Sequence, residues 1–157
     1  MKAWIVHDSK FGNGKAIADA MGQVFQQKLE VEIAHIKSAS PHRVATDKPE
    51  LLIVGTAIRI FSTSLASKIW IHRLKKELRN VNHVIPLGVV FVTHVMKKEM
   101  VQFLGKRFHN ILERGIAIGE VYPGWISGKV IKSEGPLDEG ILEEFKHLSQ
   151  QILASIR

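Results

Sequence analysis

The chain of 157 residues has no cysteine. This excludes disulfides, thiol nucleophiles and the thiolate ligands that hold iron–sulfur clusters and most structural zinc sites. Any redox chemistry must therefore come from a bound cofactor. No apolar run approaches the roughly 20 residues of a membrane span. The opening MKAWIVHDSK turns polar after a short run at residues 3–6, too soon for a secretory leader, and a cytoplasmic address is expected. Also missing are G-x-G-x-x-G and G-x-x-x-x-G-K-[ST], which speaks against NAD and P-loop nucleotide sites. Without G-x-S-x-G there is no strained serine nucleophile. The eight histidines show no H-E-x-x-H or comparable spacing, so neither a metal nor a catalytic side chain is expected.

What is present is ordinary globular material, 45% apolar and 24% charged, enough to bury a core and short enough for one domain over residues 1–157. Lys and Arg outnumber Asp and Glu by 22 to 15, giving a net charge of +7 and a pI near 9.8. Such a surface favours encounters with acidic partners, with peripheral contact to an anionic membrane as another outlet. Nucleic acid is not expected, because no recognised binding motif accompanies the charge.

The apolar pattern alternates between two periods. Residues 3–6 form a short buried run that ends at Asp8 and a glycine-containing loop, residues 9–14. From Lys15 onward Ala16, Ile17, Ala20, Met21, Val24 and Phe25 mark the stripe of an amphipathic helix. Residues 31–36 alternate as a strand does, and residues 51–54 form a second buried run ending at Gly55. Residues 65–78 predict a helix with Ser64 as N-cap and Leu65, Ile69, Trp70 and Leu74 on its apolar arc. Residues 84–92 are a long apolar run, 97–112 a helix and 116–121 a strand. Residues 139–156 form a closing helix with Leu142, Phe145, Leu148 and Ile152 on one face. Residues 122–136, rich in Gly and Pro, predict a long loop or short hairpin; such loops are often functional. Five strands, mostly continuous apolar runs, alternating with helices imply an α/β domain with a doubly wound parallel sheet covered on both faces.

In such sheets ligands sit beyond the carboxyl ends of the strands, where the loop DSKFGNGK lies. A helix N-terminus presents unpaired backbone N–H groups and partial positive charge, so Gly12 and Gly14 let the loop close around a phosphate, with Lys15 adding a full charge. The same loop would serve equally as a plain strand-to-helix turn.

The segment IVHDSKFGNGKAIADAM resembles the phosphate loop of the flavodoxin family, which follows a T/S-x-T-G-x-T pattern. LLIVGTAIRIFSTSLASKIW is similar to the strand and loop on one side of the flavin, and EGPLDEGILEEF to the start of the last helix. GTAIR also resembles, more briefly, the loop of flavodoxin-like protoporphyrinogen oxidases, which couple FMN to a quinone. The resemblance implies a three-layer, five-stranded sheet of order 2-1-3-4-5 and an FMN-binding protein working in electron transfer or oxidoreduction. An acidic redox protein, a quinone or an NAD(P)H system would be its partner. It places the phosphate at Ser9, Lys10, Phe11, Gly12, Asn13, Gly14 and Lys15. The ring would lie between Thr56, Ala57, Ile58, Arg59, Ile60 and Phe61 on one side and Thr93, His94, Val95 and Met96 on the other. Phe61 would cover one face; no aromatic occurs in the second loop, so His94, Met96 or Trp125 would cover the other. Of the family's three loop hydroxyls only Ser9 remains, with Phe11 and Gly14 in the other two places. At roughly 1.5–3 kcal/mol per hydrogen bond to a charged group, losing two weakens binding on the order of a hundredfold or more. The alternative is a binding module of the same fold that has lost FMN and serves a partner interaction.

Two further features stand apart from the loop. Trp4 in a strand and Trp70 on a helix arc are expected in the core. Lys68, His72, Lys75, Lys76 and Arg79 share one helix arc as a basic stripe, most simply a solvated face and otherwise a docking surface; Arg73 falls outside it.

Overall fold

A computed structural model describes residues 1–59, 62–123, 126–132 and 134–156. Along the chain the elements are β1 (Lys2–His7), α1 (Asn13–Phe25), β2 (Glu30–His35), α2 (Pro41–Thr46), β3 (Leu51–Arg59), β4 (Ser62–Thr63), α3 (Leu65–Asn80), β5 (Ile85–His94), α4 (Lys98–Glu113), β6 (Ile118–Val121), β7 (Ile126–Lys129) and α5 (Ile141–Ser155). The sheet runs β2-β1-β3-β5-β6, every one of these pairs parallel. Setting the two-residue β4 aside, this is the order 2-1-3-4-5.

Side chains alternate across the central strands, and each face of the sheet carries its own core. Trp4, Val6, Leu52, Val54, Val90 and Val92 pack with Trp70, Ile71 and Leu74 of α3 and Phe108 of α4. Their sequence neighbours Ala3, Ile5, Leu51, Ile53, Val89 and Phe91 pack on the opposite face with Ile17 and Met21 of α1 and Phe145 of α5. Three layers follow from that alternation, and both Trp4 and Trp70 are buried as expected.

The structure corrects several boundaries. Strand β3 does not stop at Gly55: it continues through Arg59 because the ten-residue β5 supplies partners as far as Ala57 opposite Thr93. It then turns back antiparallel, Ile58 facing Thr63. Residues 56–59 and 93–94 are thus strand ends, not loop. The edge beyond β5 is split, β6 pairing its first half and β7 running parallel to residues 91–94. The expected loop or hairpin at residues 122–136 therefore contains a sheet strand. Helix α2 was not anticipated, although Ser40 before Pro41 is an N-terminal signal; the Ser40 hydroxyl accepts the Arg43 N–H at 3.1 Å. On α5 Ile141 is buried together with the expected Phe145 and Ile152, while Leu142 is exposed.

Helix α3 is turned from its expected face. Leu65 and Ile69 are 69% and 44% exposed, whereas Ser67 and Ile71 are buried with Trp70 and Leu74. Polar contacts set this rotation: the Ser67 hydroxyl reaches into the sheet, and Trp70 Nε1 donates to Ala39 O at 2.6 Å. Lys75 leaves the basic stripe altogether. Its ammonium donates to Ile111 O and Arg114 O at the end of α4, where carbonyls lack intrahelical partners. Burial, reinforced by Arg114, pushes the Lys75 pKa down to about 8. The unfolded chain, with an ordinary lysine, then holds more protons than the folded one between about pH 8 and 10.5, so stability attributable to Lys75 rises with pH across that window. Urea midpoints of the parent should climb relative to Lys75→Met from pH 7.5 to 10; a constant difference would refute the assignment.

Candidate functional site

The carboxyl end of β1 carries two buried polar residues, His7 and Asp8, at 5% and 7% exposure. Asp8 is a hub. Its Oδ2 accepts the hydroxyls of Thr56 at 2.8 Å and Ser67 at 2.9 Å, and its Oδ1 accepts the Ala57 N–H at 2.9 Å. Arg59 Nη2 donates to the Asp8 carbonyl at 3.0 Å. One side chain therefore ties the end of β1 to β3 and to the first turn of α3, which a buried carboxylate requires if it is not to be left without donors.

His7 Nδ1 accepts the Ser9 N–H at 3.2 Å, and its ring meets His35 edge to face at 5.4 Å. Burial, followed by the neighbouring His35, holds the His7 pKa below its usual value, which keeps Nδ1 free to accept. The next turn is closed by the Ser9 Oγ, which accepts the Gly12 N–H at 2.9 Å. Gly12 itself has φ of +93°, a left-handed conformation that favours glycine, and from it α1 starts without a side-chain cap. The first-turn N–H groups consequently face the loop as potential anion donors.

Beyond these strand ends lies a cleft of about 430 Å³. One wall is the loop and helix start, Ser9, Lys10, Phe11, Asn13 and Gly14; the second is Ala57, Ile58 and Arg59; the third is Thr93, His94 and Val95. Topology brings these three stretches together, since β1, β3 and β5 are neighbours in the sheet. Phe11 is 46% exposed with the Lys10 ammonium 5.3 Å from its ring centre, and His94 Nδ1 donates to Met96 O at 2.7 Å.

Other predicted positions lie elsewhere. Gly12 shapes the turn without lining the cleft, and the Thr56 hydroxyl is committed to Asp8. Lys15 pairs with Asp19 at 2.6 Å, one turn along the helix. Met96 packs against the α3–α4 core. Ile60, Phe61 and Trp125 fall outside the described residues. Two lining residues were missed, Val130 and Glu134; they come from the Gly- and Pro-rich stretch, whose irregular composition was the available signal. Val130 is drawn in because its N–H donates to His94 O at 2.8 Å. Asp8 was also missed as a hub, since one acidic residue after an apolar run carries no sign of its future partners.

No protein-family model matches the chain, and no curated protein sequence does. Solved structures do. A flavodoxin from the domain Archaea aligns over 98% of this chain and 97% of its own, with a TM-score of 0.74 at 20% identity. The two-electron reduced flavodoxin of Megasphaera elsdenii aligns over 95% and 98%, with 0.69 at 14%. The rubredoxin oxygen:oxidoreductase of Desulfovibrio gigas matches over 98% of this chain but 35% of its own length, with 0.75 at 16%. The protein has the flavodoxin-like fold. Among the described residues no helix is long and apolar enough to cross a membrane.

Proposed function

We propose that the cleft binds FMN and that the protein is a flavodoxin-like redox protein. The observation that carries this reading is the convergence of a glycine loop, a helix N-terminus and two strand ends around about 430 Å³, within the range of small-molecule sites. The donor set suits a phosphate monoester. The Ser9 hydroxyl, its oxygen already accepting from Gly12, keeps its hydrogen to give; the first-turn N–H groups of α1 and the Lys10 ammonium supply the rest. Ala57, Ile58 and Arg59 opposite Thr93, His94 and Val95 would hold the ring, with Ile60, Phe61 and Trp125 as further contacts. Bound flavin supplies one- or two-electron transfer, which none of these side chains performs. The residues orient it and limit water at the phosphate end. An acidic redox protein, a quinone or an NAD(P)H system completes the proposal, in the cytoplasm.

Two observations favour a module of the same fold without flavin: the loop keeps a single hydroxyl, and Lys15 pairs with Asp19. Titrating the apo-protein with FMN by flavin fluorescence, with riboflavin as the control lacking phosphate, separates the two. Tight FMN and weak riboflavin binding is expected; binding of neither would leave the flavin-free module.

Restoring a loop hydroxyl supplies a graded test. A Cβ at Gly14 would meet the Ser9 Cβ at 3.4 Å, ordinary van der Waals contact. Gly14→Ser therefore fits, and adding one hydrogen bond to a charged group should tighten FMN binding about tenfold while leaving riboflavin unchanged. Equal tightening of both ligands would show that the phosphate is not at this loop.

A further inference from the structure

Beside the cleft, on the far side of the loop at residues 9–10, a groove of about 520 Å³ runs between Ser9, His35 and Ser64. It opens into a second groove of about 490 Å³ through the shared residues Ile36, Lys37 and Ala66. The second part is floored by Trp70, fixed by its bond to Ala39 O, and walled by Ile69 and Arg73.

Lys10 and Arg59 stand at one end of this continuous groove, Lys37 at its middle and Arg73 at the other end. Four basic side chains elsewhere do form ion pairs, Lys2 with Asp47, Lys15 with Asp19, Arg43 with Glu32 and Lys146 with Glu143. Among the described residues none of the four groove cations forms an ion pair. Asp8, the acidic residue lining the groove, has its carboxylate spent on Thr56, Ala57 and Ser67. The far end also has an apolar lining, with Trp70 as floor and Ile69 44% exposed. Arg73, which the sequence reading left outside the basic stripe, has its place here.

We propose that this groove docks an acidic segment of a partner protein. Carboxylates meet Lys10, Arg59, Lys37 and Arg73, and an apolar side chain lies over Ile69. Four unpaired cations along a groove with an apolar end are complementary to that pattern and steer it into register. A compact anion would use one end and leave the apolar end without a role. Lys10 and Arg59 line the cleft as well as the groove, whereas Lys37 and Arg73 line the groove alone, so variants at these last two separate docking from flavin binding.

The probe is a fluorescein-labelled peptide of Glu and Asp around one Leu, read by anisotropy, with binding mapped by amide shifts of the ¹⁵N-labelled protein. Binding is expected to weaken with added salt and to move amides at residues 36–38 and 66–73. Lys37→Glu/Arg73→Glu should bind about tenfold more weakly or worse, with its melting temperature and FMN titration unchanged. Lys28→Glu/Lys106→Glu, which changes net charge equally on exposed residues away from the groove, should bind as the parent does. The proposal is overturned if this control loses binding equally, or if a peptide with Ser in place of Leu binds as tightly. It is also overturned if millimolar inorganic phosphate displaces the peptide, or if the groove variant loses phosphatidylglycerol vesicles but not the peptide.

Discussion

Asp8→Ala is expected to cost about 3–5 kcal/mol of folding stability, measured as a lower urea midpoint, and to weaken the FMN binding proposed for the cleft. The substitution strips an acceptor from two hydroxyls and one backbone N–H in a site where Thr56 and Ser67 are each 1% exposed. Hydrogen bonds to a charged group are worth roughly 1.5–3 kcal/mol each but do not add fully, and removing one side of a buried charged network leaves its partners unpaired. Asp8→Asn should cost less, about 1–2 kcal/mol, because the amide oxygen still accepts from Ala57 while the hydroxyls can turn to accept. The effect on FMN follows from geometry, since Ala57 and Ser9 on either side of Asp8 both line the cleft. A loss under about 1 kcal/mol for Asp8→Ala would mean that water replaces the carboxylate, and the hub assignment would fall.

Gly55→Ala should cost about 2–3 kcal/mol through overpacking. A Cβ at Gly55 would lie 2.1 Å from Phe91 Cζ and 2.5 Å from both Cε atoms. The ring has little room to retreat: Phe91 is fully buried and meets Phe145 edge to face at 5.6 Å. Phe91→Leu opens space at that point, so the double variant Gly55→Ala/Phe91→Leu should be more stable than the sum of the single losses predicts, by about 1 kcal/mol or more. Strict additivity in urea unfolding would show that strain at Gly55 has another source.

These two positions show how far local reading reaches. Gly55 is visible in the sequence as the end of an apolar run, yet nothing near it foretells the Phe91 ring, which arrives from a neighbouring strand. Asp8 reads as the residue that stops a strand; its three donors come from residues 48, 49 and 59 positions away. Strand β3 looks four residues long because the apolar run ends at Val54. It is longer because pairing with β5 persists through Gly55, Thr56 and Ala57. On α3 the hydrophobic period favours Leu65 and Ile69, but the bonds of Ser67 and Trp70 turn the helix so that those two face solvent.

What the amino-acid sequence determined by itself is the part encoded within short windows. Period and length distinguish buried strands from amphipathic helices, two glycines mark the turn into α1, and the absence of cysteine excludes disulfides and thiol chemistry. The strand alternation that divides Trp4 from Ile5 already contains the two-faced sheet. What only the tertiary structure decided depends on partners distant in the chain: the cleft shared by β1, β3 and β5, the burial of Asp8, the recruitment of Val130 and Glu134, and the groove that collects Lys37 and Arg73. The physical reason is that backbone periodicity is a local property, whereas hydrogen-bond satisfaction, steric room and electrostatic field are sums over whatever the fold brings within a few ångströms.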